Sequence, residues 1–313
     1  MHEWNDDTER LAADVIAYAE ERLHLRPVPL DGPRSPEELS KEAGPTITAD
    51  GIGGKAALRI FTEVLAPACI SIDHPRYFSF IPCAPTPAST LFDLVVGASS
   101  IYGGSWLEGA GAVYAENEAL RWLADLASFP REAGGVFVQG GTLANVSALV
   151  AARFEYKRRL GAAGAQPADG GEAGLPVRWA IAASTEAHSS IASAAAAMDV
   201  DVLGVEPDEA GRLVGPALRA VLTKDREQNP QRLPFAVVAT AGTTNLGIVD
   251  ELSSVAEVAS DLGLWFHVDG AYGAAAIAAK SRRSLFNGIE RADSFVVDPH
   301  KWLFAPFDCA ALL

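Results

Sequence analysis

The sequence predicts an α/β protein with a mostly parallel central sheet, and three observations support this fold class. From residue 135 onward, short apolar segments alternate with segments of helical periodicity. The apolar segments lack polar alternation, as strands do when helices cover both faces of a parallel sheet. Polar or glycine-rich turns follow several of these segments, at the position where open parallel sheets bind their ligands.

A helical arm is predicted before the sheet, over residues 1–72. Apolar side chains at helical spacing indicate an amphipathic helix over residues 5–25. Ser35, followed by Pro36 and two acidic residues, marks the start of a second helix, and a third is predicted over residues 54–64. The arm is too short to bury a core of its own, so we expect it to pack on a partner surface.

The remaining residues, 73–313, are predicted to form one large α/β domain. Its irregular aromatic segments, at 74–87 and 102–106, would either line a pocket or serve as rigid connectors. A helix over 115–127 follows, and a Gly/Ala-rich stretch at 161–176 is predicted as a loop. The predicted strands are 136–138, 179–182, 200–205, 235–240, 264–269 and 295–298, and the helices between them are 143–160, 190–198, 216–223 and 251–262.

Composition, net charge and the cysteine pattern limit the partners and the cellular location that we expect. The 313 residues are 49% hydrophobic, and a net charge of −15 argues against nucleic acid or an anionic membrane surface as a partner. Three dispersed cysteines form no C-x-x-C unit, and the acidic N-terminus lacks the features of a signal peptide, so we expect a cytoplasmic protein. The chain stops within an apolar, strand-like run at 307–313, and we therefore expect a further domain after it.

Two strand ends carry the residues on which the functional prediction depends. Asp269 closes one apolar segment, and Lys301 follows another, between a histidine and a Trp-Leu-Phe run. The 32 positions between them leave room for one helical crossover between neighbouring parallel strands. A lysine in an apolar pocket has a lowered pKa and can form an imine with pyridoxal 5′-phosphate (PLP), whose ring nitrogen pairs with an acid. The alternative for each residue alone is structural, a helix-capping aspartate and a surface lysine.

Other strand ends add candidate cofactor contacts. Gly140, Gly141 and Thr142 open a helix whose N–H groups suit a phosphate, although an ordinary Thr-capped helix explains them too. His188 starts another helix and would either stack on a planar cofactor or cap that helix. Thr243 offers a hydroxyl to a ligand or forms a plain turn.

Two further histidines lie close to Asp269 and Lys301 in the sequence. His267 shares a strand face with Asp269, so it would either tune that carboxylate or fill the strand. His300 precedes Lys301 and could bond a phosphate or orient a substrate. No pair of histidines has the spacing of metal ligands, so the sequence does not indicate zinc.

With these features in view, residues 74–313 resemble the group II PLP-dependent amino-acid decarboxylases, which include the aromatic-L-amino-acid and glutamate decarboxylases. The most specific motifs are His-Val-Asp-Gly-Ala-Tyr at 267–272 and Asp-Pro-His-Lys-Trp at 298–302. The resemblance implies a large domain of the fold-type-I PLP-dependent transferase-like class and a small C-terminal domain beyond Leu313. It also implies an obligate homodimer with active sites at the interface.

The same resemblance implies roles for individual residues. Lys301 is the imine lysine, Asp269 binds the pyridine nitrogen, and His188 stacks on the ring and steers the substrate. Further cofactor contacts fall at Gly141, Thr142, Leu143, Thr243, Asp298 and His300. The predicted substrate contacts are Phe80, Ile81, Cys83, Tyr102 and Gly104.

This chain departs from the family pattern at several positions. Asp298 stands where many members have an asparagine, and a carboxylate there would repel the phosphate unless it is turned away or protonated. Cys83 and Gly104 replace a threonine and a bulky aromatic residue, and the glycine should leave a roomier pocket, which leaves the substrate open. The family's mobile loop, with its proton-donating tyrosine, would lie beyond Leu313.

The implied function is that of a carboxy-lyase, which converts an L-amino acid, aromatic by the resemblance, to an amine and CO2 through a Lys301 Schiff base. Two alternatives stay open: another PLP-dependent reaction, such as aldehyde formation or transamination, and a non-catalytic scaffold that only dimerises. The missing loop would decide between the reactions. The intact Asp269 and Lys301 count against the scaffold.

Overall fold

The structure is a computed structural model that describes residues 3–162 and 177–313. The loop predicted at 161–176 lies almost wholly outside the described residues. The chain divides into two compact units, Met1–Pro87 and Ala88–Leu313, while the boundary predicted at residue 72 stays a prediction. Among the helices that the structure describes, none is both long and apolar enough to cross a membrane.

The first unit is helical, as predicted. Helix α1 spans Asp6–His24, α2 spans Pro36–Ala43, and α3 spans Gly54–Ile60 and continues through a π turn, Phe61–Leu65, and a 3₁₀ turn, Ala66–Ala68. The Asn5 side chain accepts the Thr8 N–H at 3.0 Å, and Ser35 and Glu38 form a reciprocal capping box at the start of α2. These caps satisfy N–H groups that the first turn of a helix leaves unpaired.

Two more helices follow before the sheet, α4 (Pro87–Ala98) and α5 (Trp106–Leu126). The sequence analysis missed α4, because its nearly uniform apolar composition shows no polar face. Helix α5 begins at Trp106 rather than at residue 115, and the Ser105 side chain accepts the Glu108 N–H at 3.4 Å. Gly109 interrupts the helical backbone inside α5, which explains why the sequence signal there was weak.

The second unit contains a seven-stranded sheet in the order β1-β7-β6-β5-β4-β2-β3. The strands are β1 (Val136–Val138), β2 (Arg178–Ser184), β3 (Asp201–Val205), β4 (Arg232–Thr240), β5 (Trp265–Asp269), β6 (Ser294–Val297) and β7 (Ala310–Leu312). Strands β2 to β6 are parallel to one another, and β7 runs antiparallel between β1 and β6. The predicted class, α/β with a mostly parallel sheet, is confirmed.

Helices enclose this sheet in apolar layers. They are α6 (Gly140–Ala162), α7 (Ser189–Met198), α8 (Gly215–Gln228) and α9 (Leu252–Asp261). One layer includes the fully buried Leu149 and Ile191, and the other includes Leu218 and Val255. Burial of each of these apolar side chains stabilises the fold by about 1.5–3 kcal/mol. The packed sheet therefore holds the residues at its carboxyl edge in fixed positions.

The connection from β5 to β6 differs from the prediction of one helical crossover. It contains three 3₁₀ turns, Gly273–Ala278, Arg283–Phe286 and Ile289–Arg291. A Cβ at Gly273 would lie 2.5 Å from the Ala241 carbonyl oxygen, so the connection runs directly against the end of β4. Such a close backbone approach leaves no room for a regular helix with its side chains. Strands β5 and β6 are still parallel neighbours, which brings their ends side by side.

Candidate active site

A cavity of about 180 Å³ lies at the carboxyl ends of the strands in the second unit. Its lining residues are Gly141, Thr142, Asn145, His188, Ser190, Thr240, Gly242, Thr244, Asp269, Ala271, Tyr272, Asp298, His300 and Lys301. Candidates from separate strand ends therefore converge, as expected for an open parallel sheet. The lining is mainly polar, so it suits a ligand with several hydrogen-bonding groups.

Asp269 ends β5 as a buried carboxylate with 4% of its surface exposed. Its Oδ2 accepts a hydrogen bond from Asn145 Nδ2 at 2.8 Å, and its Oδ1 accepts the Ala271 N–H at 3.2 Å. Two donors from two elements fix the orientation of this carboxylate. Each oxygen keeps a free lone pair for a third donor, such as a protonated ring nitrogen.

A directed chain of hydrogen bonds leads to Asp269 from the opposite end of β5. Trp265 Nε1 can only donate, so Ser294 Oγ accepts at 2.8 Å and gives its own proton to His267 Nδ1 at 2.7 Å. His267 Nε2 then carries the ring proton and donates to Asn145 Oδ1 at 3.0 Å. This order turns the amide of Asn145 so that its NH2 group faces Asp269.

His267 is fully buried, and burial lowers its pKa to about 4 although the Asp269 charge opposes the shift. The ring is therefore neutral near pH 7, in agreement with the tautomer that the hydrogen bonds require. The sequence left two roles open for His267, to tune Asp269 or to fill the strand. The structure shows that it reaches the carboxylate through Asn145.

A branch of the same network orients His188. Asn145 Nδ2 also donates to Ser190 Oγ at 3.0 Å, and that hydroxyl lies 2.9 Å from His188 Nδ1. The Ser190 N–H donates to the same ring nitrogen at 3.2 Å, so Nδ1 is an acceptor and Nε2 carries the proton. His188 caps α7 and also lines the cavity. The two roles left open by the sequence, helix capping and contact with a cofactor, therefore do not exclude each other.

Lys301 lies just after β6 with 24% of its side chain exposed. Its Nζ is 2.9 Å from Asp298 Oδ2. The apolar surroundings expected from the sequence are therefore wrong at the amine itself. Trp302 and Phe304 are apolar neighbours along the chain, but they remain 40% and 48% exposed, and the neighbour of the amine in space is a carboxylate.

Asp298 is 1% exposed, and its Oδ1 has no hydrogen-bond partner in the described part of the chain. Burial raises its pKa, and the Lys301 ammonium opposes this shift. His300 Nδ1 accepts the Cys309 N–H at 2.9 Å and lies 3.2 Å from Asp308 Oδ1. His300 Nε2 lies 3.7 Å from Asp298 Oδ2, too far for a hydrogen bond.

The first turn of α6 forms the end of the cavity that suits an anion. Gly140 has φ +79°, a conformation that favours glycine, and it aims the following N–H groups along the helix axis. A Cβ at Gly141 would lie 2.9 Å from an Asp298 oxygen and 3.0 Å from the Ala271 Cβ. The sequence therefore needs glycine here for close packing. Thr142 also lines the cavity, while Leu143 is 43% exposed and absent from its lining.

Several predicted site residues do not line this cavity. The buried Thr243 closes a turn, because its Oγ1 accepts the Ile248 N–H at 3.2 Å, and the next residue, Thr244, lines the cavity instead. The room expected beside Gly104 is filled, since a Cβ there would lie 2.3 Å from the Tyr102 ring. The other three predicted substrate contacts belong to the first unit, and their roles stay predictions; they are Phe80, Ile81 and Cys83.

Sequence reasoning missed the residue that connects the site, Asn145. It also missed the lining residues Ser190, Ala271 and Tyr272, whereas the strand end 240–244 was expected at the site and supplies Thr240, Gly242 and Thr244. A usable signal existed for Asn145, because an amide within the apolar run at 143–149 of a helix covering the sheet must find buried partners. No comparable signal marked the serines, whose partners come from distant segments.

Comparison with known proteins agrees with this geometry. The family model described as "Pyridoxal-dependent decarboxylase conserved domain" matches residues 55–313. An aromatic-L-amino-acid decarboxylase of Bacillus atrophaeus is 31% identical over 293 residues, covering 93% of this chain and 58% of the relative. An L-2,4-diaminobutyrate decarboxylase of Rhizobium meliloti (strain 1021) is 34% identical over 266 residues, covering 84% of this chain and 50% of the relative.

A solved structure shows the same fold. Oryza sativa TDC with PLP and tryptamine superposes on this chain with a TM-score of 0.87 at 26% identity, covering 100% of this chain and 67% of that one. The chain therefore spans between half and two thirds of the length of these related proteins.

The family description names a pyridoxal cofactor, and the cavity fits PLP. Lys301 offers a primary amine, Asp269 a buried acceptor for a ring nitrogen, and the first turn of α6 an anion site with a glycine where any side chain would collide. PLP is thus confirmed as the cofactor. Because the family match covers residues 55–313, well over half of the sequence, the chain belongs to the pyridoxal-dependent decarboxylase family.

Proposed function

We propose that this chain is the cofactor-binding part of an enzyme that decarboxylates an aromatic L-amino acid to the corresponding amine and CO2. One observation carries the proposal: a buried carboxylate, Asp269, and a primary amine, Lys301, line the same cavity. The relative from Bacillus atrophaeus supports an aromatic substrate. The chain covers 58% of that relative, so the activity of the whole protein is part of the proposal.

The cavity residues have distinct tasks in such a reaction. Lys301 holds the cofactor covalently, which requires its Nζ to lose a proton first. Asp269 accepts a hydrogen bond from the cofactor's ring nitrogen and keeps that nitrogen protonated, in an orientation that Asn145 has already fixed. When bound, PLP takes up the electron pair that the Cα–carboxylate bond releases.

His188 is the residue best suited to act on the substrate side of the cofactor. Its Nδ1 is occupied by Ser190, so the ring is neutral and offers Nε2–H as a single donor. A flat neutral ring can stack on a planar cofactor, and the remaining N–H can orient a substrate group.

The assay should also compare three other reactions. The relative from Rhizobium meliloti is an L-2,4-diaminobutyrate decarboxylase, which favours a basic aliphatic substrate as the second candidate. Aldehyde formation or transamination on the same cofactor would yield different products from the same amino acid. The assay should therefore identify the organic product as well as CO2.

The first experiment is a PLP titration of the chain, followed by borohydride reduction and peptide mapping. We expect one reduced adduct, at Lys301. The loaded protein is then offered L-tryptophan, L-tyrosine, L-phenylalanine and L-2,4-diaminobutyrate, with mass-spectrometric detection of amine, aldehyde or keto acid. Amine from an aromatic substrate supports the proposal, and amine from diaminobutyrate alone would replace the substrate class. A folded chain without an adduct would favour the non-catalytic scaffold.

The proposal extends to assembly and location. We propose a homodimer in the cytoplasm, in keeping with the acidic charge balance and the free thiols Cys69, Cys83 and Cys309. Light scattering coupled to size exclusion would test the dimer, and a monomer at micromolar concentration would contradict it.

A further inference from the structure

Asp298 places a carboxylate at the anion-binding end of the cavity. Both of its oxygens lie 2.9–3.0 Å from the position that a Cβ on Gly141 would occupy, at the first turn of α6. That turn is the site that suits the cofactor's phosphate, and phosphate and carboxylate repel each other when both are charged. The presence of Asp298 therefore needs an explanation that is specific to this chain.

The charged groups around Asp298 leave its charge poorly balanced. Lys301 Nζ is in contact with Oδ2 at 2.9 Å, His300 Nε2 lies 3.7 Å from the same oxygen, and the Asp269 charge is also close enough to act on Asp298. The Oδ1 atom has no partner in the described chain, and the side chain is 1% exposed. A buried carboxylate with an unpaired oxygen is costly, whereas a carboxylic acid there has a proton to donate.

We propose that Asp298 takes the proton of Lys301 when the cofactor is loaded, and that the resulting carboxylic acid donates a hydrogen bond to the phosphate. In this step the Nζ–H bond breaks with its electron pair left on nitrogen, and an O–H bond forms on Oδ2, so the pair changes from two charges to none. The amine gains the lone pair that it needs to bond to the cofactor's aldehyde carbon. One proton transfer thus removes the repulsion and activates the lysine.

This inference rests on the proposed role of Lys301 as the cofactor lysine. It does not depend on which amino acid is decarboxylated, because it concerns loading of the cofactor alone. Burial favours the neutral form of Asp298, which agrees with the direction of the transfer.

The test compares PLP with pyridoxal, which has the same aldehyde and ring but no phosphate. The ratio of their dissociation constants measures the contribution of the phosphate to the free energy of cofactor binding. The variants are D298N, which keeps a neutral donor, D298A, which has none, and D308N, which removes a half-exposed carboxylate near Gly140 as a matched charge control.

We expect D298A to reduce the preference for PLP over pyridoxal by roughly 10-fold, the value of one charge-assisted hydrogen bond of about 1.5 kcal/mol. D298N and D308N should stay within about threefold of wild type. A charged Asp298 predicts the opposite, because removing a repelling carboxylate would raise the preference in both D298A and D298N. That result would overturn the proposal.

An infrared difference spectrum of the wild-type chain, loaded minus free, gives a second readout that does not rely on D298A folding. A new carbonyl band of a protonated carboxylic acid should appear with PLP and be lost in D298N. Absence of the band in wild type, or its persistence in D298N, would refute the transfer. If borohydride reduction finds no PLP on Lys301 at all, the proposed function fails as well, so the two failures can be told apart.

Discussion

Asp269 and Asp298 stand at the ends of two neighbouring parallel strands, and both are almost fully buried, yet their surroundings differ. Asp269 accepts hydrogen bonds at both oxygens, from Asn145 and from the Ala271 N–H. Asp298 Oδ2 is paired with the Lys301 amine, and its Oδ1 has no hydrogen-bond partner in the described chain. Two donors hold Asp269 in a fixed orientation, whereas we propose that Asp298 changes its charge state when Lys301 reacts.

The largest effect is expected from Lys301→Ala, which removes the amine paired with Asp298. No PLP adduct should survive borohydride reduction, and decarboxylation should fall at least 1,000-fold, on the order found when a covalent catalyst is removed. Intact-mass spectrometry after reduction measures the adduct. An undiminished adduct would move the cofactor lysine elsewhere in the chain.

Asp269→Asn tests the other carboxylate in the comparison of Asp269 with Asp298. The amide oxygen can still accept from Asn145, and the acceptor for the Ala271 N–H is lost, so we expect a modest loss of stability with the Lys301 adduct retained. The loss of negative charge beside the ring nitrogen should reduce kcat roughly 100-fold. Steady-state kinetics at saturating PLP would measure this. A variant with near wild-type kcat would show that Asp269 does not act on the cofactor.

Asn145→Ala is expected to weaken the hydrogen-bond network that orients Asp269. It leaves Asp269, Ser190 and His267 each without one partner, so we expect a loss of about 1–3 kcal/mol in the free energy of unfolding and weaker PLP binding. Urea unfolding of the apo chain gives the first quantity. The matched control is Asn245→Ala, at an exposed turn position, which should change neither.

The last prediction is a pH dependence of stability that comes from His267. Its pKa of about 4 in the folded state lies below the unfolded value of about 6.5, so the unfolded chain binds the extra proton between these values. The contribution of His267 is complete above pH 6.5 and is lost as the pH falls towards 4, by at most about 3 kcal/mol.

Asp250 acts in the opposite direction over nearly the same range, because burial raises its pKa to about 6. The measurement is therefore a difference: urea unfolding of wild type and His267→Gln from pH 7 to pH 4.5. The stability gap between them should shrink as the pH falls, while the exposed His24→Gln should run parallel to wild type. Parallel curves for His267→Gln and wild type would contradict the buried neutral histidine.

Much of the cofactor site follows from local sequence. Asp269, His188 and Lys301 each lie at the end of a predicted strand or the start of a predicted helix, and parallel sheets gather such ends at one edge. Glycine at position 141 was recognisable as a close-approach residue beside a helix start. These predictions needed only the hydrophobic periodicity of the strands and helices and the few polar or glycine residues at their ends.

Other features were out of reach for the same local reasoning. Helix α4 was missed because its apolar residues give no periodic contrast, and the β5–β6 crossover was predicted as a helix because chain length does not reveal how closely Gly273 approaches Ala241. The same limit applied to Thr243, whose hydroxyl closes a turn in place of lining the cavity.

By itself, the sequence determined the fold class and indicated the cofactor, and it predicted Asp269 and Lys301 as the residues that bind it, because strand periodicity and residue chemistry are local properties. The tertiary structure alone decided the partners of those residues. Asn145 connects Asp269 with His267 across 124 and 122 positions of sequence, and the amine expected in apolar surroundings lies against Asp298. Hydrogen bonds and charge pairs depend on distances of a few ångströms in space, which no spacing along the chain encodes.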